Sequence, residues 1–203
     1  MELDKKLAKK LDEAYAILKE IDERLNELGF NVDSTVLDRA MDIFRDAYEK
    51  KFTIGRYTGA IVAASLYYAA REAGYVLPFA SVSDAARVGK RDVASCYRHL
   101  IKNVKVPNLA LADIVESAAK KLRISKYEKK IAVKILKRAP ERDVRLKARY
   151  PFALVAAALY MACLICGRRK TQRELAEALY VSEVAIRSNL SELKNLLAVE
   201  VHV

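Results

Sequence analysis

The densest set of chemically useful side chains in this sequence lies between Arg168 and Leu196. Thr171 followed by Glu174 has capping-box spacing and opens a short helix. Leu175, Ala178 and Leu179 give that helix an apolar side, and Tyr180 and Val181 make a turn. Ser182 then caps a second helix whose inward residues are Ile186, Leu190 and Leu193. Two helices joined in this way read as a helix-turn-helix. The start of the second helix presents Glu183, Val184, Ala185, Arg187 and Ser188 outward, where a recognition helix meets base edges in the DNA major groove. Arginine binds guanine through two hydrogen bonds, and the methyls of valine and alanine touch thymine. Arg168, Arg169, Lys170 and Arg173 lie just upstream, placed for phosphates, and the Ser188 hydroxyl suits the same use. Glu183 weighs against this reading, because a carboxylate repels phosphate unless it accepts from cytosine or sits on the helix dipole. The plain alternative is two packed helices with a solvated basic face.

Other charged and reactive residues are less specific. Lys90, Arg91 and Arg98 serve either solubility or DNA backbone contact. Lys102, Lys105, Lys120, Lys121, Arg123, Lys126, Lys129 and Lys130 form a run that is either a solvated face or a dock for an acidic protein surface. Cys163 and Cys166 have C-x-x-C spacing, but they fall inside a predicted buried helix with no second cysteine pair and no nearby histidine. They read as packing residues and not as a zinc shell. His99 and His202 have no evident nucleophile or acid partner. No glycine-rich phosphate loop, serine elbow or paired carboxylates occur, so no enzyme, cofactor, metal or small-molecule substrate is expected.

Helices must position these residues. Leu7, Leu11, Ala14, Leu18, Ile21, Leu25 and Leu28 recur every three or four residues, and Gly29 follows as a C-cap. That predicts a helix packed on its own domain, not a coiled coil. Asp33 or Ser34 caps a second helix with Val36, Leu37, Ala40, Ile43, Phe44 and Ala47 on one face. A third, about Thr58 to Ala73, is apolar nearly all round and therefore buried and central. Helices near Ser81–Ala86 and Lys90–Val104 follow. Pro107 and Asn108 break the pattern, and a second set runs Leu111–Leu122, Lys126–Ala139, Pro151–Cys166, Thr171–Leu179 and Ser182–Leu196. Pro140 stops the second of these, and Pro151 suits the first turn of the third. Strand-like alternation appears only at Val199–Val203.

The halves are related. With Tyr57 laid on Tyr150, Val62, Ala63, Ala64, Leu66 and Tyr67 fall on Val155, Ala156, Ala157, Leu159 and Tyr160. Further along, Ala69 meets Ala162, Gly74 meets Gly167, Ala85 meets Ala178, Val88 meets Val181 and Leu100 meets Leu193. The shift is about 93 residues, a whole domain and not a short solenoid repeat. The matched positions are small or apolar, so they report shared packing around a central helix.

Composition agrees with this reading. Of 203 residues, 53% are hydrophobic, with only six glycines and four prolines, which favours long helices with short connections. No stretch reaches the roughly 18 to 20 apolar residues of a membrane span, and the N-terminus lacks an apolar signal region. Three cysteines make no disulfide scaffold. A soluble, cytoplasmic and nucleoid-associated protein is the expectation. The net charge of +11 favours a polyanionic partner, although lysine-rich surfaces also occur in heat-adapted proteins.

Three phrases carry a family resemblance: Ala156-Ala157-Ala158-Leu159-Tyr160, Lys170-Thr171-Gln172-Arg173-Glu174, and Val181-Ser182-Glu183-Val184-Ala185-Ile186-Arg187. They resemble the second cyclin repeat of archaeal transcription factor B, the counterpart of eukaryotic general factor IIB. Gly55-Arg56, Val62-Ala63-Ala64 and Ala86-Arg87-Val88 match the first repeat in the same way. The resemblance implies an all-α fold of two tandem five-helix cyclin-like repeats, residues 1–106 and 107–203, the second containing the helix-turn-helix. It implies partners too: double-stranded promoter DNA, TATA-binding protein and, indirectly through segments outside this core, RNA polymerase. Gln172, Val184, Ala185 and Arg187 would read the element upstream of the TATA box. Basic residues by the inter-repeat linker, Lys102, Lys105, Lys120 and Lys121, would meet an acidic edge of TATA-binding protein.

The sequence departs from the family in three places. No cysteine precedes Cys96, so the family's N-terminal zinc ribbon has no counterpart here, as in a fragment or a shortened paralogue. Ala185 stands where threonine is usual, which keeps the methyl and loses the hydroxyl. Leu77-Pro78-Phe79 replaces a more usual Pro-Arg-Thr in the first repeat, weakening the case for DNA contact there. Two other readings stay open: a protein-binding module like true cyclins, and a ribbon-less regulator that blocks initiation.

Overall fold

The computed structural model describes residues 2–102, 109–143, 146 and 150–197, and every element among them is helical. Backbone packing divides the chain into two compact units, 1–108 and 109–203. The expected boundary at 106–107, the extent of the fifth helix beyond residue 102, and the strand at Val199–Val203 all lie outside the described residues. No described helix is long and apolar enough to cross a membrane.

The first unit contains α1 (Glu2–Glu27), α2 (Ser34–Glu49), α3 (Thr58–Glu72), α4 (Phe79–Ala85) and α5 (Lys90–Leu100). Every residue of α3 from Gly59 to Ala70 is buried, as expected for a helix without a polar face. The other four helices all pack against it. On α1, Ala14, Leu18, Ile21 and Leu25 are buried against α2, α3 and α4, whereas Leu28 is 41% exposed beside the C-terminal glycine. Asp33 is the N-cap residue of α2, but its side chain accepts no capping hydrogen bond. The short helix α4 begins at Phe79, two residues before the expected start, because Pro78 supplies a fixed N-cap conformation.

The second unit repeats the plan with α6 (Leu111–Leu122), α7 (Lys126–Arg142), α8 (Pro151–Ile165), α9 (Gln172–Leu179) and α10 (Glu183–Leu197). Here α8 is central, buried from Phe152 to Leu159, with α6, α7, α9 and α10 around it. Helix α7 runs through residue 140 to Arg142, past the stop expected at Pro140. A proline forfeits its own N–H bond, but the ladder resumes behind it: the Asp143 N–H donates to the Ala139 carbonyl at 3.0 Å.

Helix starts show the duplication best. In the first unit α3, α4 and α5 begin at Thr58, Phe79 and Lys90; in the second α8, α9 and α10 begin at Pro151, Gln172 and Glu183, the same offset each time. Turn residues follow suit. Gly74 and Gly167 both hold positive φ after the central helix, and Arg87 (φ 52°) and Tyr180 (φ 54°) do so between the last two. Neither of the latter is glycine, so packing holds a left-handed backbone that an ordinary side chain disfavours.

Candidate nucleic-acid interface

The expected helix-turn-helix is present as α9, a turn at Tyr180–Ser182, and α10. Its first helix opens on a reciprocal capping box: the Glu174 N–H donates to Thr171 Oγ1 at 3.1 Å, and the Thr171 N–H donates to Glu174 Oε2 at 2.7 Å. Lys170 Nζ also reaches Glu174, at 2.8 Å. The Lys170 ammonium, followed by the Thr171 N–H and hydroxyl, holds the Glu174 carboxyl down at about 2. At the turn, the Val181 N–H donates to the Ala176 carbonyl at 3.0 Å and closes α9. Ser182 Oγ then accepts from the Ala185 N–H at 3.2 Å and caps α10.

The cap orients the start of α10. Ile186, Leu190 and Leu193 turn inward and are buried. Val184 is 66% exposed, the Arg187 side chain is 56% exposed, and Ser188 is exposed, while Glu183 and Ala185 are half-buried. Asn189, not singled out in the sequence, is buried beneath this face and donates Nδ2 to the Ala185 carbonyl at 2.7 Å. That bond back to the preceding turn ties the outward residues to the core.

The surrounding cations differ in what they already bind. Arg169 is exposed and has no partner among the described residues. Arg173 is 80% exposed and paired with Glu177 at 2.9 Å, and Gln172 is half-buried at the first residue of α9. Arg168 donates to the buried Glu128 at 3.1 Å. In the first unit Lys90 and Arg91 are exposed on the first turn of α5 and Arg98 on its last. Lys102 is exposed in that unit, and Lys120 and Lys121 are exposed at the end of α6; Lys105 lies outside the described residues. The structure thus gathers Arg169, Lys170, Gln172, Arg173, Val184, Ala185, Arg187 and Ser188 onto one motif. The other described ones lie elsewhere: Lys90, Arg91 and Arg98 on α5, Lys102 just after it, and Lys120 and Lys121 on α6, while Arg168 precedes the motif in the loop after α8.

Two features escaped the sequence reading. One is Glu128, which forms a second capping box with Ser125; the Ser-x-x-Glu spacing was the available signal. The other is a cleft of about 560 Å³ in the first unit, lined among others by Arg39, Lys50, Lys51 and Arg56. Within it Phe52 stacks on His99 at 3.9 Å, and the Arg56 guanidinium lies 4.1 Å above the Phe52 ring. The adjacent lysines at 50–51 hinted at the charge, but only the fold brings His99 to them.

Cys96 and Cys163 are core residues, whereas Cys166 is half-buried at the C-cap of α8 and not inside the helix as expected. Burial and then the neighbouring Glu128 charge push the Cys163 thiol up to about 11, so it stays protonated and unreactive at neutral pH. Among the described residues no cluster of histidine, cysteine and carboxylate ligands is suited to a metal ion.

Known proteins resemble this chain along nearly all of its length. The family model described as transcription factor TFIIB repeat matches residues 9–103 and again residues 106–196. A transcription initiation factor IIB from Archaeoglobus fulgidus is 34% identical over 186 residues, which cover 91% of this chain and 56% of that protein. The factor of the same name from Pyrobaculum islandicum is 34% identical over 183 residues, 89% of this chain and 54% of the relative. That from Pyrodictium occultum is 32% identical over 197 residues, 93% and 63% respectively. The chain spans little more than half the length of these curated relatives.

Proposed function

Because the chain belongs to the transcription factor TFIIB repeat family, whose members are transcription factors and not enzymes, we propose that it is the core of a general transcription initiation factor. In this proposal residues 1–106 and 107–203 are its two repeats. It docks on TATA-binding protein already seated on promoter DNA and reads the element upstream of the TATA box. Gln172, Val184, Ala185 and Arg187 meet base edges. Arg169, Lys170, Arg173 and Ser188 meet phosphates on the same motif, and Lys90, Arg91 and Arg98 meet them from the first repeat. Lys102, Lys105, Lys120 and Lys121 supply cations for an acidic edge of TATA-binding protein. RNA polymerase joins the assembly afterwards.

One observation carries this reading: the outward residues of α10, Val184 and Arg187 above all, stand open at the capped start of a helix whose other side is core. One helix-turn-helix buries a modest area, so binding to DNA alone is weak and strengthens with TATA-binding protein. The test is a gel shift on duplexes with matched or scrambled upstream elements, with and without TATA-binding protein. The expected result is a ternary complex that favours the matched element. Equal shifts on both duplexes remove base reading, and no shift on either leaves a module that binds protein alone.

A further inference from the structure

The loop feeding the helix-turn-helix is held by a buried carboxylate. Glu128, in the first turn of α7, is 2% exposed, the one charged side chain among the described residues that is buried. Its Oε2 accepts from the Ser125 N–H at 2.7 Å and from Arg168 Nη1 at 3.1 Å, while its Oε1 is buried with no hydrogen-bond partner among the described residues. A carboxylate so withdrawn from water depends on its counter-charge, and Arg168 supplies it. The backbone of Arg168 is fixed as well, its N–H donating to the Cys163 carbonyl at 2.9 Å behind Gly167.

The first unit builds the matching joint with different chemistry. Tyr75 follows Gly74 as Arg168 follows Gly167, and its N–H donates to the Ala70 carbonyl at 2.8 Å. The Tyr75 hydroxyl accepts from the Asp33 N–H at 3.3 Å, just before α2. In both units, then, the residue after the glycine meets the N-terminus of the second helix. One joint is an exposed tyrosine hydroxyl that the Asp33 carboxylate also engages. The other is an ion pair on a buried acid, and it belongs to the unit whose last helix opens Val184 and Arg187 to solvent.

We propose that Glu128 and Arg168 form a positioning strut that fixes where the Gly167–Thr171 loop leaves α8, so that Arg168 acts on that loop and not on DNA. Arg168 stands three residues before the Thr171 cap, so holding it sets the direction of Arg169 and the angle at which α9 begins. The consequence for DNA rests on the promoter-binding reading; the strut itself does not.

Thermal melting of the free chain tests the strut. Arg168→Met strands the Glu128 carboxylate and lowers Tm by about 5 °C or more, whereas Arg169→Met leaves Tm in place. Adding Glu128→Gln to Arg168→Met raises Tm again, because the amide still accepts from Ser125 and needs no counter-charge. A double variant that melts no higher than Arg168→Met overturns the strut. Titration of a promoter duplex in the presence of TATA-binding protein tests positioning. Arg168→Met narrows the ratio of matched to scrambled affinity severalfold with the salt slope unchanged. A slope flattened by about 0.9 with the ratio intact makes Arg168 a phosphate contact and overturns the assignment. If the wild-type chain itself fails to discriminate the duplexes, the promoter reading falls and the melting result still decides the strut.

Discussion

Arg187 folds back along α10 onto Glu183, its Nη1 3.4 Å from the carboxylate one turn nearer the helix start. The pair sits at the helix N-terminus, where the carboxylate complements the dipole and the guanidinium is held on the exposed side of the helix. Glu183, which weighs against DNA contact when read alone, has a structural use here. Arg187→Ala is expected to weaken the ternary complex by roughly 1–3 kcal/mol and to relax preference at one upstream position. Equal affinity of variant and wild type across a set of single-base substitutions would remove Arg187 from base reading.

Val184 gives a cleaner separation of binding from folding. Its side chain is 66% exposed, so Val184→Ser changes stability by no more than about 0.5 kcal/mol. Loss of the thymine-methyl contact is expected to weaken binding to the matched element by about 1 kcal/mol. Parallel melting and titration check both halves; a large fall in Tm shows that the residue serves the core.

Arg169→Ala removes an exposed cation that has no partner among the described residues. Affinity for matched and scrambled duplexes is expected to fall alike, and the slope of log K against log salt to become shallower by about 0.9. A selective loss on the matched duplex contradicts a phosphate role.

Acid is expected to destabilise the second unit through its two capping boxes. The Glu174 carboxyl lies at about 2, below its ordinary 4.5. Glu128 is also held low: burial pushes it up, but the Ser125 hydrogen bonds and the Arg168 charge outweigh that. A folded value below the unfolded one gives stability that is complete above about 4.5 and drains away as pH falls towards about 2. Tm measured from pH 6 to pH 2.5 should drop through that window, with Glu174→Gln showing a shallower drop. Parallel curves for the two proteins contradict the linkage.

Added volume on the central helix is expected to be costly. Ala157 is fully buried on α8, where α6, α7, α9 and α10 converge. Ala157→Leu is expected to cost about 1–3 kcal/mol through overpacking, read as a lower midpoint in urea. An unchanged midpoint indicates room beside α8.

What the sequence disclosed and what it hid follow from the range of the interactions. α3 and α8 were legible because an apolar helix without a polar face has to be buried, and Thr171–Glu174 because a capping box lies within one turn. The exposure of Val184 and Arg187 followed from the phase set by Ile186, Leu190 and Leu193. Arg168 was different. Its partner lies on another helix, and charge and position alone grouped it with Arg169. Pro140 misled because a proline rule marks the lost bond at its own nitrogen and not the bonds that re-form after it. Asp33 does hold the N-cap position of α2, but its side chain makes no capping bond and engages Tyr75 instead, a partner 42 residues away that residue type does not reveal.

The matched register of the two units makes their outward surfaces transferable. Each outward position at the start of α10 has a counterpart on α5: the exposed Val184 corresponds to Arg91, the half-buried Ala185 to Asp92 and the exposed Arg187 to Ala94, each on a helix that begins at the same offset behind a left-handed turn residue. A scaffold of this kind separates what is carried from what carries it. Exchange of the outward side chains between the two helices is therefore expected to leave both backbones in place, since the helix starts and the turn residues already coincide.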